Sequence, residues 1–320
     1  MTSHHAQAVV LEEPARILLR TVELQPLGKR DVRVKTRFSG VSTGTERLFY
    51  TGEMPHFPGM GYPLVPGYET VGEVIEAGPE ALFRPGEIVF VPGANCYDGV
   101  RGLFGGAAST LVSASDRLIS VPAGIHQEGV LFALAATAHH ALAGCQRQDG
   151  SLRIPDLIVG HGVMGRLLAR LVVALGGMPI VWEPLAERQV GAQGYLVMTP
   201  EACRGKQFGC IVDASGAGDS LGQWIDHLSP GGEVVLAGFY TRALSFNFVP
   251  AFLREARLRV AAQWQPSDLQ AVAGMVRDGS LSLDGLITDE FSPAQATQAY
   301  EKAFEDPNAL KVVLNWGSLQ

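Results

Sequence analysis

The first 125 residues contain short segments in which apolar and polar side chains alternate, separated by glycine and proline. Residues 31–40 alternate with a period of two, which is typical of a strand with one face in water. Similar segments rich in β-forming residues lie at 6–11, 15–22, 64–78 and 84–92. Short strands at this spacing predict a small β-barrel-like domain.

The hydrophobic period changes near residue 128. Leu131, Leu134, Ala138 and Leu142 recur at helical spacing and predict a helix. Strand patterns then follow at 157–159, 180–183, 207–216 and 231–239, with a helical pattern at 221–228. This alternation predicts a doubly wound parallel sheet. Helices at 268–277 and 293–304, with strands at 286–288 and 311–316, complete the predicted elements.

Two segments of the first domain lack a clear period. Residues 41–47 are small and rich in hydroxyl groups, and we interpret them as a loop that opens a short helix. Residues 49–63 are predicted to form an unusually apolar loop. This loop is a candidate wall for a flat apolar ligand, or else simply a packed surface loop. Its large side chains are Phe49, Tyr50, Met54, Phe57, Met60 and Tyr62.

A glycine motif joins the first strand of the second domain to its helix. The apolar run 157–159 leads into Gly160-His161-Gly162-Val163-Met164-Gly165. In a dinucleotide site the first glycine permits the tight turn, the second lets the backbone approach a pyrophosphate, and the third allows close helix–strand packing. The free N–H groups at the helix start, at Val163 and Met164, are predicted to face the phosphates. An ordinary glycine turn is the alternative.

The end of the next strand predicts which dinucleotide binds. Glu183 lies where a ribose-binding carboxylate is expected, and such a carboxylate favours NAD and repels the 2′-phosphate of NADP. Arg188, a few residues later, could soften that preference. Ala214 and Ser215 close the fourth strand and are expected beside a ribose. Gly238 and Phe239 close the next strand and are expected near the nicotinamide; these four residues complete the predicted cofactor site.

Composition excludes several classes of protein. The 320 residues are 47% hydrophobic and 18% charged, with a net charge of −7, so nucleic acid is not an expected partner. No signal peptide and no run of 18 apolar residues is visible, which predicts a cytoplasmic protein without an integral membrane segment. Four scattered cysteines, without C-x-x-C spacing, predict buried reduced thiols rather than disulfides or a thiolate zinc site.

The order of these elements resembles the medium-chain dehydrogenase/reductase superfamily. The resemblance is carried by Gly40-Val41-Ser42, Gly67-Tyr68-Glu69, Arg84-Pro85-Gly86-Glu87 and Lys311-Val312-Val313, besides the glycine motif. It implies an α/β fold made of a GroES-like β-barrel-type catalytic domain and a Rossmann domain with a doubly wound parallel sheet. We therefore expect a catalytic domain over 1–127, an NAD-binding domain over 128–266, and a return to the catalytic domain over 267–320.

This chain departs from the superfamily's zinc-dependent members at two positions. Those members carry a Cys and a His where this sequence has Ser42 and Tyr68. A hydroxyl and a phenol are poor zinc ligands. The four closely spaced cysteines of the structural zinc lobe are also missing. We therefore predict no metal, with a zinc site built from Glu69, His139 or His140 as the main alternative.

Several loops more closely resemble a branch of this superfamily that acts in bacteriochlorophyll synthesis. These stretches lie at residues 42–47, 55–64, 91–97, 101–107, 134–142 and 236–240. The resemblance implies that a tetrapyrrole is the substrate. It also implies oxidation of the 1-hydroxyethyl group of a bacteriochlorophyllide to acetyl, with NAD as the acceptor.

Without zinc, a side chain must accept the proton of the alcohol. Tyr68 is the first candidate, provided that a cation lowers its pKa, and Arg47 is the nearest cation in sequence. Glu69 is predicted to orient Arg47 or to act as the base. Ser42 and Thr45 are predicted to form a hydroxyl relay, or else to cap a helix.

Two adjacent histidines add a further candidate. One of His139 and His140 could relay a proton or bind the magnesium of a tetrapyrrole, although a buried structural histidine is the simpler interpretation. Adjacent helical residues point about 100° apart, so at most one is expected to face a given pocket.

Two other functions fit the same motifs. A zinc-free, NAD(P)H-dependent quinone or enoyl reductase is one, although Glu183 counts against its usual NADP. A cofactor-binding scaffold without turnover is the other. The superfamily resemblance and the apolar segment 258–264 also suggest a homodimer.

Overall fold

A computed structural model describes residues 4–56, 58–102, 104–145 and 150–319. The chain divides into two compact units. Unit 1 comprises Met1–Ala133 and Asp284–Gln320, and unit 2 comprises Leu134–Leu283. These divisions replace the predicted boundaries after residues 127 and 266. The second boundary moves because Asp268 accepts hydrogen bonds from His139 and His140, which assigns its helix to unit 2.

The strands are β1 (His5–Glu13), β2 (Arg16–Leu24), β3 (Asp31–Val41), β4 (Thr70–Ala77), β5 (Ile88–Val91), β6 (Tyr97–Asp98), β7 (Thr110–Ala114), β8 (Ile119–Ser120), β9 (Leu157–Val159), β10 (Ile180–Trp182), β11 (Leu196–Met198), β12 (Phe208–Asp213), β13 (Leu228–Leu236), β14 (Arg257–Val260), β15 (Ile287–Phe291) and β16 (Lys311–Asn315). The helices are α1 (Thr45–Thr51), α2 (Phe132–Ala143), α3 (Val163–Ala174), α4 (Leu221–Asp226), α5 (Phe248–Leu253), α6 (Pro266–Arg277) and α7 (Ala296–Glu305). None of the described helices is long and apolar enough to cross a membrane.

Unit 1 contains two sheets. The larger runs β15-β16-β3-β4-β5-β8, with β7 also paired to β3, and the smaller runs β1-β2-β6. The alternation predicted for residues 31–40 is present in the middle of β3, where Val34 and Thr36 are buried and Lys35 and Arg37 are exposed, but Arg33 is buried as well. Because β16 pairs antiparallel with β3, the end of the chain lies beside residues 38–41.

Unit 2 is built on one parallel sheet in the order β11-β10-β9-β12-β13-β14. The sequence order of the strands runs outward in opposite directions from the boundary between β9 and β12. In doubly wound sheets, ligands bind at this point, beyond the carboxyl ends of the strands. Leu157, Ile211 and Val234 are fully buried in its core. The fold class predicted from the sequence is confirmed.

Several elements differ from the predictions, and among them the short strands β6, β7 and β8 were not predicted. The segment from residue 49 was predicted to be a loop, but its first residues belong to α1. Burial of Phe49 stabilises this part of the helix. β11 and α5 were not predicted, since one is only three residues long and the other has six residues with a proline at Pro250.

Candidate functional site

Two hydroxyl groups of unit 1 form the centre of the predicted catalytic site. The Oγ atom of Ser42, just after β3, lies 2.7 Å from the Oη atom of Tyr68, just before β4. The side chain of Thr45 also hydrogen-bonds Tyr68. Neither Ser42 nor Thr45 caps α1, whose N-cap is Gly44 without a side-chain bond. The structure therefore brings three of the predicted residues together, and we call Ser42 and Tyr68 the hydroxyl pair.

The prediction that a cation lowers the pKa of Tyr68 is wrong. Burial and the nearby carboxylate of Glu69 raise the pKa of Tyr68 well above 10. Arg47 is exposed on α1 and is not among the groups that act on this phenol. The Tyr68 phenol is therefore protonated at neutral pH. It is suited to donating or relaying a proton, and not to being the final proton acceptor.

A lysine missed by sequence reasoning lies beside the hydroxyl pair. Lys311, the first residue of β16, donates from Nζ to Oε2 of Glu69 at 2.7 Å and to the carbonyl of Val41 at 3.1 Å. Both charged side chains are at most 1% exposed. Gly40 makes room for this pair, because a side chain there would collide with the Glu69 carboxylate. Glu69 thus pairs with Lys311 and not, as predicted, with Arg47.

A second buried carboxylate lies in the same place. Glu46 of α1 accepts a hydrogen bond from the backbone N–H of Ser42 at 3.3 Å and another from the Tyr300 hydroxyl at 2.5 Å. Burial raises the pKa of Glu46 to about 8, and the Glu69 carboxylate adds to this effect. One ammonium therefore faces two carboxylates, and Glu46 retains a proton at neutral pH. We call Glu46, Glu69 and Lys311 the charge cluster.

Sequence reasoning gave no role at the site to Lys311, Glu46 or Tyr300, although the first two belong to stretches that carry the family resemblance. Lys311 lies 242 residues from Glu69, and Tyr300 lies 254 residues from Glu46. The available signal was a lysine within the otherwise apolar strand pattern of β16, since a charged residue there needs a buried partner.

The residues at the hydroxyl pair are a poor fit for zinc. Ser42 and Tyr68 offer a hydroxyl and a phenol, and Oε2 of Glu69 already binds the Lys311 ammonium. Since Glu46 is protonated, Glu69 is the single carboxylate that balances this ammonium, and a second cation here would be repelled without further negative charge to neutralise it. Among the described residues, the one group of acidic, cysteine or histidine side chains spaced for a metal lies elsewhere, in unit 2.

Most of the aromatic segment packs inside unit 1. Phe49 is 1% exposed and contacts Phe104 edge-on, with ring centroids 6.3 Å apart. Tyr50 packs against Tyr300 and Phe304. These side chains, with buried Met54, do not form the wall for a flat ligand predicted from the sequence. Met60 and Tyr62 are partly buried against the same core. Phe57 lies outside the described residues.

The two adjacent histidines of α2 share one carboxylate in unit 2. Nδ1 of His139 lies 2.8 Å from one oxygen of Asp268, and Nδ1 of His140 lies 2.9 Å from the other. Although at most one histidine was expected to face a given pocket, both rings reach the same residue, because the two oxygens of the carboxylate bridge the angle between them. Asp268 also caps α6 by accepting the N–H of Gln265.

The glycine motif has the geometry of a phosphate-binding turn. Gly160 has a φ of +93°, a conformation that side chains disfavour, and a Cβ there would lie 3.1 Å from Ser215. A Cβ on Gly165 would collide with the carbonyl of Gly160. Gly162 is the N-cap of α3, and Val163 and Met164 follow as its first residues. The loop thus offers an open backbone and free N–H groups, which fits a pyrophosphate.

Glu183 lies at the end of β10, as predicted, and its carboxylate holds the glycine motif. Its Oε2 accepts a hydrogen bond from the backbone N–H of His161 at 3.1 Å, and its Oε1 accepts one from the backbone N–H of Leu185 at 3.0 Å. The guanidinium of Arg188 lies against Gly162, with Nη2 3.3 Å from the position of an added Cβ. Arg188 therefore lies where it can contact a phosphate of a bound dinucleotide.

Other residues that support the motif were not predicted. His161 is fully buried, with Nδ1 2.7 Å from the Arg188 carbonyl and Nε2 2.9 Å from the Tyr195 hydroxyl. Burial lowers the pKa of His161 to about 4, so its ring is neutral. Arg166 donates to the His161 carbonyl at 3.1 Å. These contacts fix the turn without adding a charge from the imidazole.

Asp213 organises the other edge of the predicted cofactor site. This last residue of β12 accepts hydrogen bonds from the N–H and hydroxyl of Ser215, from the N–H of Gly216 and from the Tyr240 hydroxyl. Ala214 and Ser215 thus lie in a fixed turn beyond the strand. A Cβ on Gly238 would lie 3.0 Å from Gly216, so the ends of β12 and β13 approach closely here. Phe239 follows and is 54% exposed.

Comparison with known proteins gives a match to a domain family and relatives that align over nearly the full length of the chain. Residues 28–123 match the alcohol dehydrogenase GroES-like domain. The chain is 54% identical to the 2-desacetyl-2-hydroxyethyl bacteriochlorophyllide A dehydrogenase of Rhodobacter capsulatus, over 97% of this chain and 98% of that protein. It is 50% identical to the protein of the same name from Cereibacter sphaeroides, with the same coverage.

Solved structures resemble the chain at low identity. A short chain alcohol dehydrogenase from Escherichia coli CFT073, complexed with NADH, is similar with a TM-score of 0.83, 20% identity and coverage of 98% of this chain and all of that one. A 2R,3R-butanediol dehydrogenase from Bacillus subtilis is similar with a TM-score of 0.82, 20% identity and coverage of 97% and 99%. At this identity the similarity concerns the fold.

Proposed function

Because the chain belongs to the family of the 2-desacetyl-2-hydroxyethyl bacteriochlorophyllide A dehydrogenases, within the medium-chain alcohol dehydrogenases, we propose that it oxidises the hydroxyethyl side chain of a bacteriochlorophyllide to an acetyl group. The observation that carries this proposal is the sequence identity of 54% and 50% with the two bacteriochlorophyllide dehydrogenases, which extends over nearly the whole of this chain and of each relative. Its substrate is then a tetrapyrrole intermediate of bacteriochlorophyll a synthesis.

The proposed acceptor is NAD, which when bound takes a hydride from the carbon of the alcohol. The glycine motif holds its pyrophosphate at the start of α3, and Arg188 contacts a phosphate. Glu183 binds the adenosine ribose through a negative charge that opposes a 2′-phosphate. Its carboxylate oxygens already accept two backbone N–H groups, so its position is fixed before the dinucleotide arrives.

The hydroxyl pair handles the proton of the alcohol. Tyr68 Oη hydrogen-bonds the alcohol oxygen, accepts its proton and passes its own to Ser42 Oγ, 2.7 Å away, and Ser42 in turn releases its hydroxyl proton to solvent. Such a relay suits a phenol with a raised pKa, because the proton is passed on rather than kept. Thr45 orients the phenol through its side-chain bond.

We further propose that the reaction does not depend on zinc. The positive charge near the hydroxyl pair is the ammonium of Lys311, held by Glu69 at 2.7 Å. The support for zinc independence is the donor set, because Ser42 and Tyr68 are poor zinc ligands and the Glu69 carboxylate already binds this ammonium.

One assay tests the reaction. Purified protein is incubated with NAD and 2-desacetyl-2-hydroxyethyl bacteriochlorophyllide a, with and without prior chelator treatment, and the absorption spectrum is followed. We expect a red-shifted acetyl product and matching NADH formation in both samples. Absence of product in both would refute the substrate assignment, and product only without chelation would refute zinc independence. Oxidation of NADPH by a quinone, without alcohol oxidation, would instead indicate a reductase.

The homodimer is also a proposal. α5 and β14 carry Phe248, Val249, Phe252, Leu253, Leu258 and Val260, each at least 40% exposed. Within the described residues β14 pairs only with β13, so its other edge is open for a second copy.

A further inference from the structure

Four side chains of unit 2 meet in a cluster that the proposed reaction does not use. Cys145 follows α2, Cys210 lies on β12, Glu233 on β13 and Arg259 on β14. Both cysteines are fully buried and Glu233 is 6% exposed. The sequence predicted no thiolate site, because the two cysteines lie 65 residues apart. We call these four residues the thiol cluster.

The spacing of the ligand atoms in the thiol cluster suits a small tetrahedral cation. The two Sγ atoms are 3.9 Å apart, and they and a carboxylate oxygen of Glu233 all lie within 4.8 Å of one another. Two thiolates bound to one zinc ion at about 2.3 Å are separated by about 3.8 Å along the edge of the tetrahedron. The sulfur positions therefore already match two corners of such a site.

An unpartnered oxygen gives a second, independent sign of a ligand. Oε2 of Glu233 is buried and has no hydrogen-bond partner among the described residues. A buried carboxylate oxygen without a donor is unfavourable, and a bound cation removes that cost. The other oxygen of Glu233 lies 3.6 Å from Nε of Arg259.

Arginine completes the charge balance of the thiol cluster. Nη2 of Arg259 lies 3.2 Å from the sulfur of Cys145 and 2.6 Å from the carbonyl of Ala141. The thiol of Cys210 donates to the sulfur of Cys145, so the two sulfur atoms already face each other. Two thiolates and one carboxylate carry three negative charges. A divalent cation and the guanidinium together supply three positive charges.

We propose that Cys145, Cys210 and Glu233 bind a zinc-like divalent cation, with Arg259 as the neutralising neighbour. The site joins β12, β13 and the segment after α2, so it stabilises unit 2 and takes no part in hydride transfer. A protein that contains zinc for this reason would resemble a zinc enzyme by metal analysis alone. The hydroxyl pair would nevertheless remain metal-free.

Cobalt(II) titration of the full chain, stripped beforehand with a chelator, tests the site. We expect one equivalent to bind with a thiolate-to-cobalt charge-transfer band in the near ultraviolet and with visible bands of tetrahedral intensity, and zinc to displace it. Cys145→Ser and Cys210→Ser should lose the charge-transfer band and weaken binding by about 100-fold or more. Cys203→Ser, at another buried cysteine of unit 2, is the matched control and should bind as the wild type does.

X-ray absorption on the cobalt-loaded wild type gives a readout that does not need a variant to fold. Two sulfur ligands per cobalt are expected. Coordination by nitrogen and oxygen alone, the absence of any charge-transfer band, or an equal loss in Cys203→Ser and Cys210→Ser would each overturn the proposal. Dehydrogenase activity retained in metal-free Cys210→Ser would support the separation of this site from the reaction.

Discussion

Single residues decide the chemistry at the hydroxyl pair. Ser42 and Tyr68 replace ligand types that hold zinc, and Lys311 brings a permanent cation to within 2.7 Å of Glu69. Sequence reasoning identified Ser42, Thr45, Tyr68 and Glu69 because each belongs to a local motif. It could not identify Lys311, because only the pairing of β16 with β3 brings this lysine to the site.

Tyr68→Phe tests the relay. The ring and its contact with Phe104 remain, so only the hydroxyl is lost. Loss of one general acid–base group lowers kcat by about 100-fold or more, while KM for the alcohol should change little. Steady-state kinetics check this, with Tyr62→Phe as a control whose hydroxyl bonds the Phe49 carbonyl instead. An unchanged kcat in Tyr68→Phe would remove the phenol from the mechanism.

Lys311→Met tests the buried ion pair. Glu69 would remain buried without its cation, and removing one partner of such a pair destabilises a protein by about 3–5 kcal/mol. Urea unfolding measures this loss. Lys302→Met removes a more exposed lysine that pairs with Asp306, and should cost much less stability because solvent screens that pair. Equal losses in the two variants would contradict the assigned role of Lys311.

Glu183→Ala tests cofactor choice. Loss of charged hydrogen bonds to the ribose should raise KM for NAD by about 10- to 100-fold, and the preference for NAD over NADP should fall. Kinetics with both cofactors measure the two effects. Glu187→Ala, at an exposed acid in the same loop, is the control. An unchanged preference in Glu183→Ala would exclude the proposed role.

At the scale of elements, α1 and α7 are joined through the charge cluster. Glu46 on α1 accepts a hydrogen bond from the hydroxyl of Tyr300 on α7, and Tyr50 of α1 packs against the ring of Tyr300. Both helices were visible in the sequence, α7 from its period and α1 from the hydroxyl-rich loop before it. Their contact was not visible, since it depends on the return of the chain to unit 1.

Glu46→Gln should change how stability depends on pH. The folded state keeps a proton on Glu46 up to about pH 8, whereas the unfolded carboxyl releases it near its ordinary pKa of 4.5. The folded state therefore binds more protons between these values, and wild-type stability falls as pH rises by about 1.4 kcal/mol per pH unit from this group. Glu46→Gln lacks this contribution.

Urea unfolding of the two proteins at a series of pH values measures the difference. The stability of Glu46→Gln relative to wild type should increase from pH 5 to about pH 8 and then level off. Glu53→Gln, at an exposed residue just beyond α1, is the control and should give no such trend. A pH-independent difference for Glu46→Gln would show that Glu46 is ionised in the folded protein.

At the scale of the whole molecule, the proposed dimer rests on the open edge of unit 2. β14 ends the sheet, and α5 next to it in the chain has four large apolar side chains exposed by more than 60%. A patch of this kind usually marks an interface. Two copies related by a twofold axis would present the same edge to each other.

Phe252→Asp combined with Val260→Asp should dissociate the dimer. Two buried, unpaired charges on each side of the interface would oppose association. Light scattering after gel filtration should give twice 34.1 kDa for wild type and 34.1 kDa for the double variant. Met178→Asp, at an apolar side chain 83% exposed outside this surface, should remain dimeric. A monomeric wild type would refute the dimer.

The discontinuous course of unit 1 has a consequence for how the protein is made. During synthesis the ribosome releases Glu69 long before Lys311, and β16 belongs in the middle of the larger sheet, between β15 and β3. Unit 2 is contiguous in the chain and can complete its sheet earlier. Unit 1 must wait for β16, so it can close around its buried carboxylates only after the whole of unit 2 has been synthesised.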